Sequence, residues 1–283
     1  MLLKNARIFI GKTFVAGDIE FDRTVTRIGT LDGEGIDLGG RYVIPGMVDI
    51  HTHGAIGEDF SEGSPEGLRK LSDYYVSKGV TSYLATTVTL NEAGLTPVMH
   101  AVRDTEVTGA KCAGVHLEGP FFNAKMAGAQ NPAYLKKPDA AMVKRLDAIS
   151  KVVKVSLAPE LEGAEDCIRE LTAAGIVCSL GHSDADYATF ERARAAGATH
   201  LTHFCNAMMP IHHLRPTMVT GGMLADDVFA EIITDGVHLS DPMIRLIAKA
   251  KGPDRTMVIT DAMCAAGEPD GIYSLGGLRV KVE

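Results

Sequence analysis

No stretch of this chain approaches the roughly 20 consecutive apolar residues that a membrane-spanning helix needs, so no membrane partner is expected. A basic surface is lacking too: 28 Lys and Arg face 36 Asp and Glu, for a net charge of -8 and an isoelectric point near 5.7. Nucleic acid is excluded as an expected partner, because phosphate backbones demand clustered positive charge. A small anionic ligand is not excluded, since one pocket can differ from the average field. No C-x-x-C pair occurs. The five cysteines, Cys112, Cys167, Cys178, Cys205 and Cys264, are odd in number, scattered, and mostly inside apolar runs. They read as reduced, buried thiols of a cytoplasmic protein, not as a disulfide framework or a cysteine-zinc site. The first residues have no long apolar core or cleavage signal. Repeats and low-complexity segments are absent.

What is present is a globular composition, 46% hydrophobic and 23% charged, over 283 residues. That length suits one large domain, or one with a small appendage. Residues 1–44 read as short strands over 6–10, 15–21 and 25–28, with Asp32-Gly33-Glu34-Gly35 as a turn signal. From Val48 onward strands and helices alternate. Ser64-Pro65 supplies an N-cap and an N1 proline, Leu68, Leu71 and Tyr75 an apolar stripe, and Gly79 a stop. After the first strand at Val48, further strands are expected at 81–87, 113–117, 152–158, 176–180, 199–204, 228–234 and 257–260. Eight strands separated by helical patterns predict an α/β fold, a closed parallel (β/α)8 barrel of the TIM type. The alternative is an open doubly wound sheet. It calls for a glycine-rich phosphate fingerprint after an early strand, and none stands there.

Polar residues fall in register with the strand ends. His51 and His53 close the apolar run Met47-Val48-Asp49-Ile50, and two residues apart on a strand they point the same way. Such a pair can grip a divalent ion; alone, it reads equally well as two surface histidines in a loop. His116-Leu117-Glu118-Gly119-Pro120, Gly181-His182-Ser183, Thr202-His203, Asp235-Gly236-Val237-His238 and Thr260-Asp261-Ala262 end later strands. In a barrel these ends converge on one face, where the chemistry of such folds is built. A carboxylate ending a buried strand, as Glu118 does, needs a partner. Taken singly, His182 could be a core histidine and Asp261 a helix cap. His116 reads as a packing residue, and His100, His200, His212 and His213 as non-ligands. Together, four histidines and a carboxylate suit one or two divalent ions, with zinc, iron or manganese favoured by nitrogen and oxygen donors without thiolate. A metal ion makes hydroxide available at neutral pH, and a free carboxylate, Asp261, can carry the proton. The constellation points to hydrolysis.

These motifs, with Phe121-Phe122-Asn123 and Asn206-Ala207-Met208, resemble the amidohydrolase superfamily and, within it, the N-acetylglucosamine-6-phosphate deacetylase family. The resemblance covers nearly the whole chain. It implies that Glu118, His182 and His203 hold the principal metal and that His51 and His53 hold a second, zinc being the first choice. It makes Asp261 the general base and acid. It places Ala129 and Gln130 over the acetamide, Asn206 and the Ala207 backbone on the sugar phosphate, and His238 on the substrate. The implied reaction gives glucosamine 6-phosphate and acetate, in a homodimer. Gln130 stands where many members have histidine. Leu214 stands where members show a phosphate-reaching arginine, and Arg215 follows it. Members also continue beyond the point matching Glu283, so residues 1–44 read as part of a small β-domain, here incomplete, and 45–283 as the barrel. These departures keep two alternatives open. One is a related amide substrate: N-acetylgalactosamine 6-phosphate, a non-phosphorylated acetamido sugar or a cyclic ureide. The other is an inactive truncated homologue.

Overall fold

A computed structural model describes all 283 residues. Its contacts divide the chain into two units, Met1–Met47 and Val48–Glu283.

The first unit is a small sheet. β1 (Leu2–Ile10) turns through Gly11 into β2 (Thr13–Phe21), and β3 (Val25–Gly29) adds antiparallel to β2. Two short pieces, β4 (Ile36–Asp37) and β5 (Tyr42–Val43), lie parallel to β1. The two-residue reversal Gly11-Lys12 needs a positive φ at its first position, which Gly11 supplies at 63°. Ala6, Ile8 and Ile19 form its small core. The Asp18 carboxylate accepts from the backbone N–H groups of Asn5 and Leu31.

In the second unit eight parallel strands form the frame. They are β6 (Met47–Thr52), β9 (Val80–Thr87), β10 (Lys111–Glu118), β11 (Val152–Leu157), β12 (Val177–Leu180), β13 (His200–Leu201), β14 (Phe229–Ile233) and β15 (Thr256–Ile259). The intervening β7 (Gly54–Ala55) and β8 (Glu58–Asp59) make a small hairpin after β6. The frame strands are neighbours in chain order from β6 to β15, with no reversal of order. That is the winding of a barrel and not of a doubly wound sheet. β6 and β15 meet through the chain that leaves them: the Asp261 N–H donates to the His51 carbonyl at 2.9 Å, and the Thr260 hydroxyl to Asp49 at 2.6 Å. The ring is thus nearly closed.

Helices α1 (Pro65–Ser77), α2 (Glu92–Asp104), α3 (Ala140–Asp147), α4 (Ala164–Ala173), α5 (Tyr187–Ala196), α6 (Met218–Leu224) and α7 (Asp241–Lys251) follow successive strands. Their starts follow side-chain chemistry: Ser64, Asn91, Asp139 and Asp186 each accept from a backbone N–H of the first turn. The segment after β13 resolves into a capped loop and α6. No helix is long and apolar enough to cross a membrane. A last hairpin, β16 (Gly271–Leu275) with β17 (Leu278–Val282), follows the barrel.

Period-two alternation splits the strands into two layers. Val115, Leu117, Val155, Leu157, Cys178, Leu180, Leu201, Ala230 and Ile232 join the apolar core with helix residues such as Leu95, Met99, Leu146, Ile168, Phe190 and Ile247. The alternate positions are polar and equally buried: Thr86, His116, Lys154, Ser156, Ser179, Thr202 and Glu231. They satisfy one another. His116 meets Thr86 and Ser156, and the Thr202 hydroxyl meets those of Ser156 and Ser179 at 2.7 and 2.6 Å. The helix-facing layer holds the fold together by apolar burial; the inner layer carries the floor of the site.

Candidate metal centre

β6 delivers His51 and His53 to one end of the barrel, and the turn after β15 delivers Asp261 between them. Asp261 Oδ1 lies 3.2 Å from Nε2 of each histidine. β10 ends in Glu118, β12 leads through Gly181 to His182, and β13 leads to His203. Glu118 Oε1 is 3.4 Å from His182 Nε2 and 3.2 Å from His203 Nε2. The Glu118 carboxylate also faces the other group, at 3.2 Å from Nε2 of both His51 and His53. Two three-residue donor sets result, His51 with His53 and Asp261, and Glu118 with His182 and His203. Glu118 stands between them.

Several of these side chains are aimed by backbone that ordinary residues avoid. His182, His203, Cys205, Ala207 and Asp261 all have positive φ, between 31° and 78°. Each costs on the order of 1–3 kcal/mol, and such strain gathers where a site needs a particular geometry. Gly181 is required by space: a Cβ there would lie 2.8 Å from the Thr202 Cβ. Thr202 therefore crowds the residue before His182.

The ring nitrogens not facing the site set the tautomers. The His182 Nδ1–H donates to the Met126 carbonyl at 2.9 Å, which leaves its Nε2 lone pair toward Glu118 and His203. His51 Nδ1 lies 3.1 Å from the Glu231 carboxylate, and Glu231 pairs in turn with Lys154. His51 Nε2 then has no hydrogen-bond partner, although it is fully buried. Burial alone would lower the His51 pKa, but the Asp261 and Glu118 carboxylates outweigh it and push the value up to about 9. His53 is raised well above 6.5 against burial by the same two carboxylates. Glu118 and Asp261 are held well below the usual carboxylate range, against burial, chiefly by His51 and its neighbouring rings. Burial also opposes ionisation of Glu231, yet Lys154 and His51 hold it at about 2. The carboxylates thus demand positive charge at the histidine nitrogens. A divalent cation would meet the same demand with neutral rings, and the unpartnered His51 Nε2 is available as a ligand. Imidazole and carboxylate donors without thiolate fit zinc, iron(II) or manganese(II).

A cavity of about 380 Å³ opens above the donors. His53, Glu118, His182, His203 and Asp261 line it, as do Ala129, Gln130, Asn206, Ala207 and His238. Met263, Leu275 and Val280 give it an apolar wall that the sequence reading did not pick out. Arg215 is not brought into this cavity. It lines a neighbouring hollow with Asp184, Met209 and His212. Gln130 reaches the cavity with its carboxamide already engaged: its Nε2–H donates to Glu118, and its Oε1 accepts from the Thr89 N–H at 2.7 Å. It braces Glu118 with one N–H of the amide, and the second N–H of the same nitrogen is left for the cavity. His238 Nδ1 pairs with Asp235 at 2.7 Å. His116 touches no donor carboxylate; its ring meets the His51 ring edge-on, with centroids 4.6 Å apart. Glu231 and Lys154 were missed as site residues. Their signal was legible, since each puts a charge in the middle of an apolar strand, and buried charges need partners.

A metal-donor cluster at the end of a nearly closed parallel barrel defines a class of metal-dependent hydrolases, and the chain belongs to the amidohydrolase family, which matches residues 42–268. Within it the chain is similar to N-acetylglucosamine-6-phosphate deacetylases. The Bacillus subtilis (strain 168) protein of that name is 37% identical over 85% of this chain and 63% of its own length. The Vibrio furnissii protein is 38% identical over 94% of this chain and 68% of its own. The chain thus spans about two-thirds of the length of these curated relatives. A solved N-acetyl-D-glucosamine-6-phosphate deacetylase mutant from Mycobacterium smegmatis, in complex with N-acetyl-D-glucosamine-6-phosphate, superposes with a TM-score of 0.92 at 32% identity. That superposition covers 99% of this chain and 75% of the other.

Proposed function

We propose that this chain hydrolyses the acetamide of N-acetylglucosamine 6-phosphate, giving glucosamine 6-phosphate and acetate. The observation that carries the reading is Asp261. Its carboxylate is held ionised, lines the cavity, and lies 3.2 Å from two histidines of a five-residue donor set. Glu118, His182 and His203 hold one divalent ion, and His51 and His53 a second, zinc being the first expectation. A bound ion supplies Lewis acidity and a nucleophile at neutral pH, lowering the pKa of water to about 7. Asp261 accepts the proton released as water adds to the acetyl carbon. It then returns that proton to the sugar nitrogen as the C–N bond breaks, so the amine leaves neutral and the acetic acid formed gives its remaining proton to solvent as acetate. His238 and Asn206 orient the sugar phosphate, and Met263, Leu275 and Val280 shelter the carbon skeleton from water. The active unit is a homodimer.

The test is acetate release from N-acetylglucosamine 6-phosphate by the purified chain, with metal content measured on the same sample. Release that stops with a chelator and returns with zinc supports the reading. A folded, metal-loaded chain that releases none sinks it. The placement of Arg215 outside the cavity favours a second reading, a related amide whose phosphate is not required. Equal kcat/KM for phosphorylated and unphosphorylated substrate would select it.

A further inference from the structure

We propose that Glu231, held by Lys154, is a positioning residue that fixes the tautomer of His51 and so controls binding of the ion on the His51–His53–Asp261 side. This rests on reading the cluster as a divalent-metal centre.

All three residues are at most 1% exposed. One Glu231 oxygen takes the Lys154 ammonium, and the other lies 3.1 Å from His51 Nδ1. Ionised carboxylate oxygens only accept, so Nδ1 must carry the hydrogen. In the neutral ring that binds an ion, the lone pair is then at Nε2, the atom 3.2 Å from both Glu118 and Asp261. The ring cannot easily turn away, because His116 packs edge-on against it and is itself fixed at both nitrogens by Thr86 and Ser156. A fully buried ion pair is a poor source of stability, since desolvation offsets its attraction. Its value here is orientation, and a histidine ligand commonly donates its other nitrogen to a carboxylate for this purpose. His53 has no such support, as its Nδ1 is buried without a partner. Ligand orientation at the His51–His53 ion therefore depends on a charge pair in mid-barrel.

A side-chain amide separates orientation from packing. In Glu231→Gln, the best arrangement gives the amide oxygen to Lys154 and the NH2 to His51 Nδ1. That forces the hydrogen onto Nε2, the wrong tautomer for a ligand. With Lys154→Met added, the amide can turn its oxygen to His51 and restore the right one. Zinc affinity is read by competition with a chromophoric chelator, alongside metal counting and circular dichroism. Glu231→Gln is expected to weaken one of two ions about 10- to 100-fold while the other holds. Lys154→Met/Glu231→Gln is expected to recover most of that loss, and Lys154→Met/Glu231→Leu, which has no acceptor, is not. Unchanged zinc affinity in a folded Glu231→Gln protein overturns the proposal. So does equal affinity of the Gln and Leu double variants, which also decides the matter if the single variant does not fold. A wild-type chain that binds no zinc overturns the metal-centre reading itself, and this result is distinct from the others.

Discussion

His51 and His53 leave a single strand two residues apart, and His51 is aimed by a buried carboxylate. Glu118, His182 and His203 come from three strands, 64 and 21 residues apart in the chain, and His182 is aimed by a backbone carbonyl. Two of these three sit at positive φ, whereas neither His51 nor His53 does. His51, in the first half of the centre, is thus positioned by side-chain charge, whereas His182 and His203 in the second, like Asp261 in the first, are positioned by backbone shape. Charge can be tuned by one substitution deep in the barrel. Backbone shape depends on the packing of whole loops, including the segment that places the Met126 carbonyl.

The strongest test of this contrast is Glu118→Gln, because its carboxylate serves both halves. Both ions should be weakened by more than the about 10- to 100-fold typical of losing an orienting partner, and acetate release should vanish. Retention of two ions per chain after gel filtration would show that the halves are independent. Asp261→Asn should lower turnover about 10²- to 10⁴-fold while the ion held by Glu118, His182 and His203 stays in place. Wild-type kcat in that variant would remove Asp261 from proton transfer.

Proton competition gives the next effect. His51 in the metal-free chain titrates at about 9, so below that pH an ion must displace a proton. Zinc affinity at the first half should rise more than about tenfold per pH unit below about 9, because His51 and His53 each give up a proton to the ion. The stability of the metal-free fold should run the other way. A raised folded pKa stabilises fully below the ordinary 6.5, and that contribution is lost as pH rises through about 9. Urea titrations of the chelated protein across this window check the sign. A pH-independent zinc affinity would break the charge account of the first half. The smallest effect is expected from Gly181→Ala, which sharpens the backbone side. The added methyl meets Thr202 and should cost roughly 1–3 kcal/mol, read as a lower melting temperature. Zinc should be lost first from the His182 half.

Strand-end residues were legible because a period of two and an apolar run together say where a strand stops and which way its last side chains face. That logic found His51, His53, Glu118, His182, His203 and Asp261. It overran at 199–204, where only His200–Leu201 is strand. Thr202 already ends the ladder, since His203 and Cys205 take left-handed backbone that no propensity announces. Glu231 and Lys154 were readable as charges out of place in apolar strands, but their pairing was not, because they are 77 residues apart. Gln130 shows the limit from the other side. The family resemblance implied its place over an acetamide, and only the fold shows that its amide also holds Glu118 and the Thr89 N–H.

By itself the sequence determined the barrel and its ring of donors, because alternation, caps and strand-end polarity are local and act along the chain. Tertiary structure alone decided which carboxylate sits between the two donor sets, which nitrogen of each imidazole faces the site, and that Arg215 stays outside the cavity. Those choices rest on contacts between residues far apart in sequence, and a hydrogen bond exists only once the fold has brought both partners within about 3 Å.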